Sequence, residues 1–349
     1  MRWTLLFLMG CASDNVAKDG GLDAFAPDGS VVDVALDAAS NMDAGTDGSM
    51  MGTPGPRFIG RFDDMHQSSW SHSAVALRFT GTDVSVTLSG AAVMYEVILD
   101  GARSKFTGGN GTFSLGKNLT NGPHEVMLIR RQESFFGIAR FVSFSVPQNA
   151  WLPNVVPSRR IEIIGDSISA GYGNEGCPFE VNENSDLAYG AVAARAVGAD
   201  VHIIAQSGIG MAKSLSNAVT MPEIYERTFG GNNTTAWDFS KYTPDVVVIN
   251  LGTNDNNAGV DKNLYKTTYV NFLTKVRGHY PNALIYCVSQ NGNTLTPEVQ
   301  SVVMTKADPK IKYLALMGNG AGCQGHPDLA GHQSMANGLI AALKSDVGW

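Results

Sequence analysis

The chain has 349 residues, too long for one hydrophobic core and long enough for two ordinary domains with an appendage. Hydrophobic residues make up 44% of it, so most should fold, yet no apolar run approaches the roughly 18 residues that a membrane-spanning helix needs. The net charge of −7 is local: residues 12–56 carry eight Asp and one Lys, which leaves 24 basic against 24 acidic side chains elsewhere and no electrostatic footprint for nucleic acid.

Arg2 precedes an apolar stretch from Trp3 to Met9, and Leu8-Met9-Gly10-Cys11 follows. That tetrapeptide resembles the lipobox of bacterial lipoproteins. The resemblance implies a signal peptide over residues 1–11, lipidation of Cys11, and membrane contact only through that anchor. An ordinary secretory signal is the plainer alternative, since the apolar stretch is short. Ala12 after the Cys, in place of Asp, points to the outer membrane or cell surface. Residues 12–56 are then dominated by Asp, Ala, Gly and Ser, with Phe25 the only aromatic. Such a segment buries too little apolar surface to offset its chain entropy and reads as a disordered, self-repelling linker. Its Asp residues lack the spacing and the bidentate Glu of a calcium loop.

Over residues 57–150 the hydrophobic period becomes two. Val84, Val86 and Leu88 alternate with Asp83, Ser85 and Thr87, and Tyr95, Val97 and Leu99 lead into Asp100-Gly101. Further short runs at Ala74–Phe79, Glu125–Arg130 and Arg140–Val146 are separated by Gly, Asn and Pro signals. This pattern predicts a jelly-roll-like β-sandwich. Trp70 could serve there as a carbohydrate platform, although an isolated Trp in a sandwich more often belongs to the core.

From 158 to 349 short apolar strands alternate with helical patterns. Strands are expected at Ile161–Ile164, Val201–Ala205, Val246–Asn250, Ala283–Ser289 and Ile311–Leu316, and helices at 187–197, 262–277, 297–306 and 329–344. Continuous apolar strands suit a parallel sheet covered on both faces, so the expected fold is α/β, a doubly wound α/β/α sandwich. Ligands sit at the carboxyl ends of such strands. There the sequence places Gly165-Asp166-Ser167, Gln206-Ser207-Gly208-Ile209-Gly210, Gly252-Thr253-Asn254-Asp255 and, after the fifth strand, His326-Pro327. A Gly-Asp-Ser alone would occur by chance in roughly one chain in ten of this length, but four such blocks in order would not.

The four blocks resemble the SGNH (GDSL-like) hydrolases at Ser167, Gly208, Asn254 and His326. The preceding sandwich, the run Gly165–Gly176, Trp237-Asp238-Phe239 and Gly322-Cys323-Gln324-Gly325-His326-Pro327 narrow the resemblance to carbohydrate esterase family 2. It covers residues 57–349. It implies a two-domain serine esterase that removes acetyl groups from plant-type polysaccharides such as xylan or glucomannan, or from their oligosaccharides.

The chemistry suits these residue types. Ser167, at a strand-to-helix turn, would be the nucleophile, and its own amide would join that of Gly208 and the side chain of Asn254 in an oxyanion hole. His326 would be the general base. Each has a structural alternative: Asp166 and Ser167 as helix caps, Gly208 as a tight turn, Asn254 as an Asx-turn, His326 as a lone histidine. His332, inside a predicted helix, reads as structural. Neither metal nor cofactor is implied, because the His and Cys residues lack ligand spacing.

Two features depart from the wider pattern. SGNH hydrolases usually place an Asp three residues before the His, where Cys323 stands, and some relatives place one two before, where Gln324 stands. Asp328 is the nearest carboxylate, but at a helix start it should turn onto the helix's own amides. A Ser167–His326 dyad is therefore expected, with Nδ1–H of His326 held by a carbonyl, that of Gln324. Cys177 and Cys323 should both lie at the carboxyl edge of the sheet, and export would permit a disulfide between them, with Cys287 free in a buried strand. Other readings stay open: a lysophospholipase or peptidoglycan O-acetyl esterase on the same scaffold, or a non-catalytic glycan-binding lipoprotein. A monomer is expected.

Overall fold

The computed structural model describes residues 48–146, 150–231, 233–290 and 293–349. The expected signal peptide, Cys11 and the linker up to residue 47 lie outside the described residues.

The first half is a sandwich of antiparallel strands. One sheet is built around Ala74–Gly81, which pairs with Gly122–Arg130, followed outward by Val93–Leu99 and Ala102–Gly108. The facing sheet has four strands, with Ala139–Ser145 and Val84–Gly90 at its centre. Alternate residues point inward, so Val75, Leu77 and Phe79 meet Val84, Val86, Leu88 and Phe141 in a continuous core. Trp70 is not part of that core, nor is it a surface platform. It is 1% exposed and belongs to the buried cluster of the second half, with Ile204, Met221 and Tyr225.

The composition assigns Met50–Pro54 to the linker, but the structure corrects this. These residues form a strand that pairs antiparallel with Trp151–Val156. Both methionines stay exposed, and the pairing is made by backbone groups, which no hydropathy pattern reports.

The second half is a three-layer α/β/α unit. Its five parallel strands lie in the order Ala199–Ala205, Arg159–Gly165, Val246–Asn250, Leu284–Gln290, Ile311–Leu316. Helices Tyr189–Ala196 and Leu329–Val347 pack on one face through Tyr189, Ala193, Met335 and Leu339. Helices Lys262–His279 and Thr296–Lys306 cover the other through Tyr265, Tyr269, Phe272 and Val299. The first strand, Arg159–Gly165, lies inside the sheet beside the edge strand, and the chain leaves it in one direction and returns to its other side. A topological switch point therefore lies at its carboxyl end. Gly165 stands in register with Ala205 on one side and Asn250 on the other, so the loops that follow these strands emerge together.

The halves interlock through buried charge. Arg61 of the sandwich pairs with Glu162 of the strand Arg159–Gly165 at 3.3 Å, both side chains fully buried, and also donates to the carbonyls of Tyr225 and Arg227.

Candidate active site

Ser167 begins a helix of four residues, Ser167–Ala170, closed by Gly171 in the left-handed region at φ 85°. One turn carries almost no macrodipole, so what Ser167 gains here is a free amide and not the field of a long helix. Asp166 caps the turn by accepting from Ile168 N at 3.1 Å. Burial pushes its carboxyl up to about 7, opposed by that amide and reinforced by Asp255.

His326 Nε2 lies 2.8 Å from Ser167 Oγ. Its Nδ1 lies 3.0 Å from the carbonyl of Cys323, one residue before the expected Gln324. The cause is local: Gln324 is left-handed at φ 53°, which folds 323–325 into a tight turn whose first carbonyl also accepts the His326 amide at 3.1 Å. A carbonyl only accepts, so Nδ1 carries the proton and Nε2 offers its lone pair to Ser167. Burial lowers the His326 pKa, and the carbonyls of Cys323 and Gln324 raise it in part. The imidazole is therefore neutral near pH 7 and ready to accept a proton.

Gln324 and Asp328 do other work. The Gln324 side chain accepts from the Tyr172 hydroxyl at 3.0 Å, while the Tyr172 ring lies against His326 with centroids 4.4 Å apart. Asp328 caps the last helix by accepting from Gly331 N at 2.8 Å, and it also binds Asn319 at 2.8 Å. Cys177 and Cys323 are joined in a disulfide that spans 146 residues of sequence, and Cys287 is free and buried. His332 is fully buried. Its Nδ1 accepts from Tyr189 N at 3.1 Å, and burial lowers its pKa to about 4, so it stays neutral.

Gly208 follows the strand Ala199–Ala205 and Asn254 follows Val246–Asn250, the two neighbours of the strand that leads into Ser167. Among the described residues, neither the Ser167 nor the Gly208 amide donates to a protein acceptor. Gly208 has φ +73°, which favours glycine, and a Cβ there would sit 1.8 Å from Ser216 Oγ and displace that side chain. Asn254 Nδ2 donates to the Ile209 carbonyl at 2.8 Å and to Asp166 Oδ2 at 3.3 Å. The second bond is long, and it is the one a developing oxyanion would displace.

Two residues without a role in the sequence reading complete the surroundings. Asp255 accepts the amides of Met211, Ala212 and Lys213 at 2.6 to 2.8 Å, which fixes the loop after Gly208. Its signal is its place beside Asn254 at a helix start. Glu133, from the sandwich, binds both the amide and the hydroxyl of Ser207, and no local motif marks it.

Residues 58–154 match the family model for the carbohydrate esterase 2 N-terminal domain, and residues 163–333 match that for GDSL-like lipases and acylhydrolases. The structure of a family two carbohydrate esterase from Clostridium thermocellum, solved with cellohexaose, is 35% identical and superposes with a TM-score of 0.79 over 84% of this chain and all of that one. The chain belongs to carbohydrate esterase family 2. Within this family it is similar to the cellulase/esterase CelE of Acetivibrio thermocellus, with 36% identity over 329 residues. That match takes in 85% of the present chain and 40% of CelE, so this family 2 chain spans less than half of that relative. An acetylxylan esterase / glucomannan deacetylase of Cellvibrio japonicus is 26% identical over 246 residues, 66% of this chain and 69% of that protein.

Proposed function

We infer that the protein is a serine esterase that removes O-acetyl groups from polysaccharides or oligosaccharides of the xylan and glucomannan type through an acyl-enzyme. The observation that carries this is the contact of Ser167 Oγ with His326 Nε2 at 2.8 Å. Ser167 Oγ attacks the acetyl carbonyl carbon while its proton passes to His326 Nε2. The tetrahedral oxyanion takes the amides of Ser167 and Gly208 and the Asn254 side chain. Collapse breaks the ester bond, His326 returns the proton to the departing sugar hydroxyl, and an acetyl-serine remains. Water, deprotonated by His326, then attacks the acetyl carbonyl carbon, and collapse breaks its bond to Ser167 Oγ, releasing acetate while His326 returns the proton to Oγ. From His326 an aromatic run of Tyr172, Phe179 and Phe135 leads outward, and Phe135 is 52% exposed, which supplies ring faces for a sugar substrate.

The similar proteins named acetylxylan esterase / glucomannan deacetylase support this substrate class. Acetate release from acetylated xylan, glucomannan and peptidoglycan, measured beside hydrolysis of a fatty-acyl ester, tests it. Acetate from the first two is expected; preference for peptidoglycan or for the long acyl chain would overturn the reading.

We also propose that the enzyme is an exported monomer held at a bacterial outer membrane or cell surface by a lipid on Cys11. The Cys177–Cys323 disulfide favours an oxidising compartment. Labelled palmitate should enter the wild-type chain and not Cys11→Ser, and sedimentation of the lipid-free variant should give the monomer mass.

A further inference from the structure

We propose that Glu133, a residue of the β-sandwich, is a positioning residue for the oxyanion hole: by holding Ser207 it sets the direction of the Gly208 N–H. The proposal rests on the reading of Gly208 as an oxyanion donor.

Glu133 follows the strand Gly122–Arg130 and is fully buried. Its Oε2 accepts the Ser207 amide at 2.5 Å and its Oε1 accepts the Ser207 hydroxyl. Its own backbone is fixed, with the carbonyl accepting from Arg130 Nη2 at 2.9 Å and the amide donating to Glu183 Oε1 at 3.0 Å. The next sandwich residue, Ser134, donates to Gln206 Oε1 at 2.9 Å, so the sandwich grips the chain at two successive positions. From the opposite side Asn217 Nδ2 donates to the Ser207 carbonyl at 2.8 Å.

The geometry of the peptide unit gives these contacts their meaning. The Ser207 carbonyl and the Gly208 N–H share one planar trans peptide and point in opposite directions. Asn217 fixes that plane by its carbonyl end, and Glu133 fixes the preceding plane by its amide. Between them Ser207 has no freedom left, and the Gly208 N–H points away from Asn217. A charged carboxylate buried without partners would be costly, and the two Ser207 donors compensate it. Burial raises the Glu133 pKa to about 7, the Ser207 hydrogen bonds lower it, Asp166 raises it and Arg130 lowers it. The hydrolase half thus borrows part of its oxyanion geometry from the sandwich.

The test uses the full chain with 4-nitrophenyl acetate and compares the wild type, Glu133→Gln, Ser207→Ala and the double variant. Glu133→Gln is expected to lower kcat by about ten- to a hundredfold, below the loss on the order of 10²–10³ that deleting a donor outright can cause, with KM within about twofold. Ser207→Ala should lower kcat less, because it keeps the amide contact, and the double variant should be no worse than Glu133→Gln, since the hydroxyl contact it removes is one of the two that Glu133 makes. Phosphorylation of Ser167 by diethyl 4-nitrophenyl phosphate, whose phosphoryl oxygen occupies the oxyanion position, should slow in parallel with kcat. Wild-type kcat in folded Glu133→Gln, an effect confined to KM, or fully additive losses would overturn the proposal. If near-UV circular dichroism shows Glu133→Gln unfolded, Ser207→Ala decides: reduced kcat at unchanged KM supports the proposal, and unchanged kcat overturns it. A wild type without acetyl-ester activity overturns the functional reading and the proposal together; a wild type that works through Ser167 but ignores Glu133→Gln overturns the proposal alone.

Discussion

The two flanks of Ser167 are held by opposite means. On the histidine flank the supports are a disulfide at Cys323 and that residue's neutral carbonyl, which accepts both the backbone and the ring N–H of His326. On the oxyanion flank the supports are buried carboxylates: Glu133 holds Ser207, and Asp255 gathers the amides of residues 211–213. The difference teaches where charge is useful. A general base needs a fixed tautomer, which a neutral acceptor provides. On the Gly208 side the carboxylates are met by backbone amides and a hydroxyl, fixed dipoles that compensate their buried charge.

The contrast can be broken most severely at its centre. Ser167→Ala should remain folded and lose about 10⁴-fold or more in kcat on an acetyl ester, as expected when a nucleophile is removed from a cooperating unit; near-normal turnover would refute the mechanism. On the oxyanion flank, Asn254→Ala should cost on the order of 10²–10³ in kcat, because it removes a donor and also frees the Ile209 carbonyl. A change in KM alone would make Asn254 a binding residue.

The histidine flank yields smaller effects. Burial depresses the His326 pKa, and only the neutral imidazole accepts a proton, so kcat/KM should fall about tenfold per pH unit below a midpoint that lies under 6.5. A midpoint above 6.5 in the pH–rate profile would contradict the assigned environment. Replacing both Cys177 and Cys323 by Ser should lower stability by about 2–4 kcal/mol in denaturant titration, and kcat by about tenfold as the Cys323 carbonyl drifts. The smallest change is expected for Asp328→Asn. It caps a helix and does not touch the imidazole, so kcat should fall less than about tenfold, whereas losing a true triad Asp costs about 10⁴.

The four motif blocks were legible because each follows a short apolar strand, and in-register strands with ends at Gly165, Ala205 and Asn250 bring three of the blocks to one edge. What escaped was decided by backbone conformation or by distant packing. Gln324 is left-handed without being glycine, and this shifts the acceptor by one residue to Cys323. Arg130-Arg131-Gln132-Glu133 has the composition of a solvated stretch, yet all four residues are buried at the seam between the halves. Trp70 lies in the sandwich sequence but belongs to the hydrolase core, because contacts across that seam override the local period. The one-turn helix after Ser167 ends at Gly171, where a Cβ would meet the Asn184 carbonyl oxygen at 2.6 Å.

The pairing of Met50–Pro54 with Trp151–Val156 decides which backbone groups this end of the sheet leaves open. Trp151–Val156 is bonded to Ala74–Gly81 on one side, and Met50–Pro54 covers its other side. Without that cover the strand would offer a row of open amides and carbonyls, the template on which sheets of different molecules join edge to edge. Pro153 interrupts the row but does not close it. Met50–Pro54 takes up that row and becomes the edge strand in its place, and a version trimmed to begin at Arg57 would keep Ser167, Gly208, Asn254 and His326 while leaving Trp151–Val156 open.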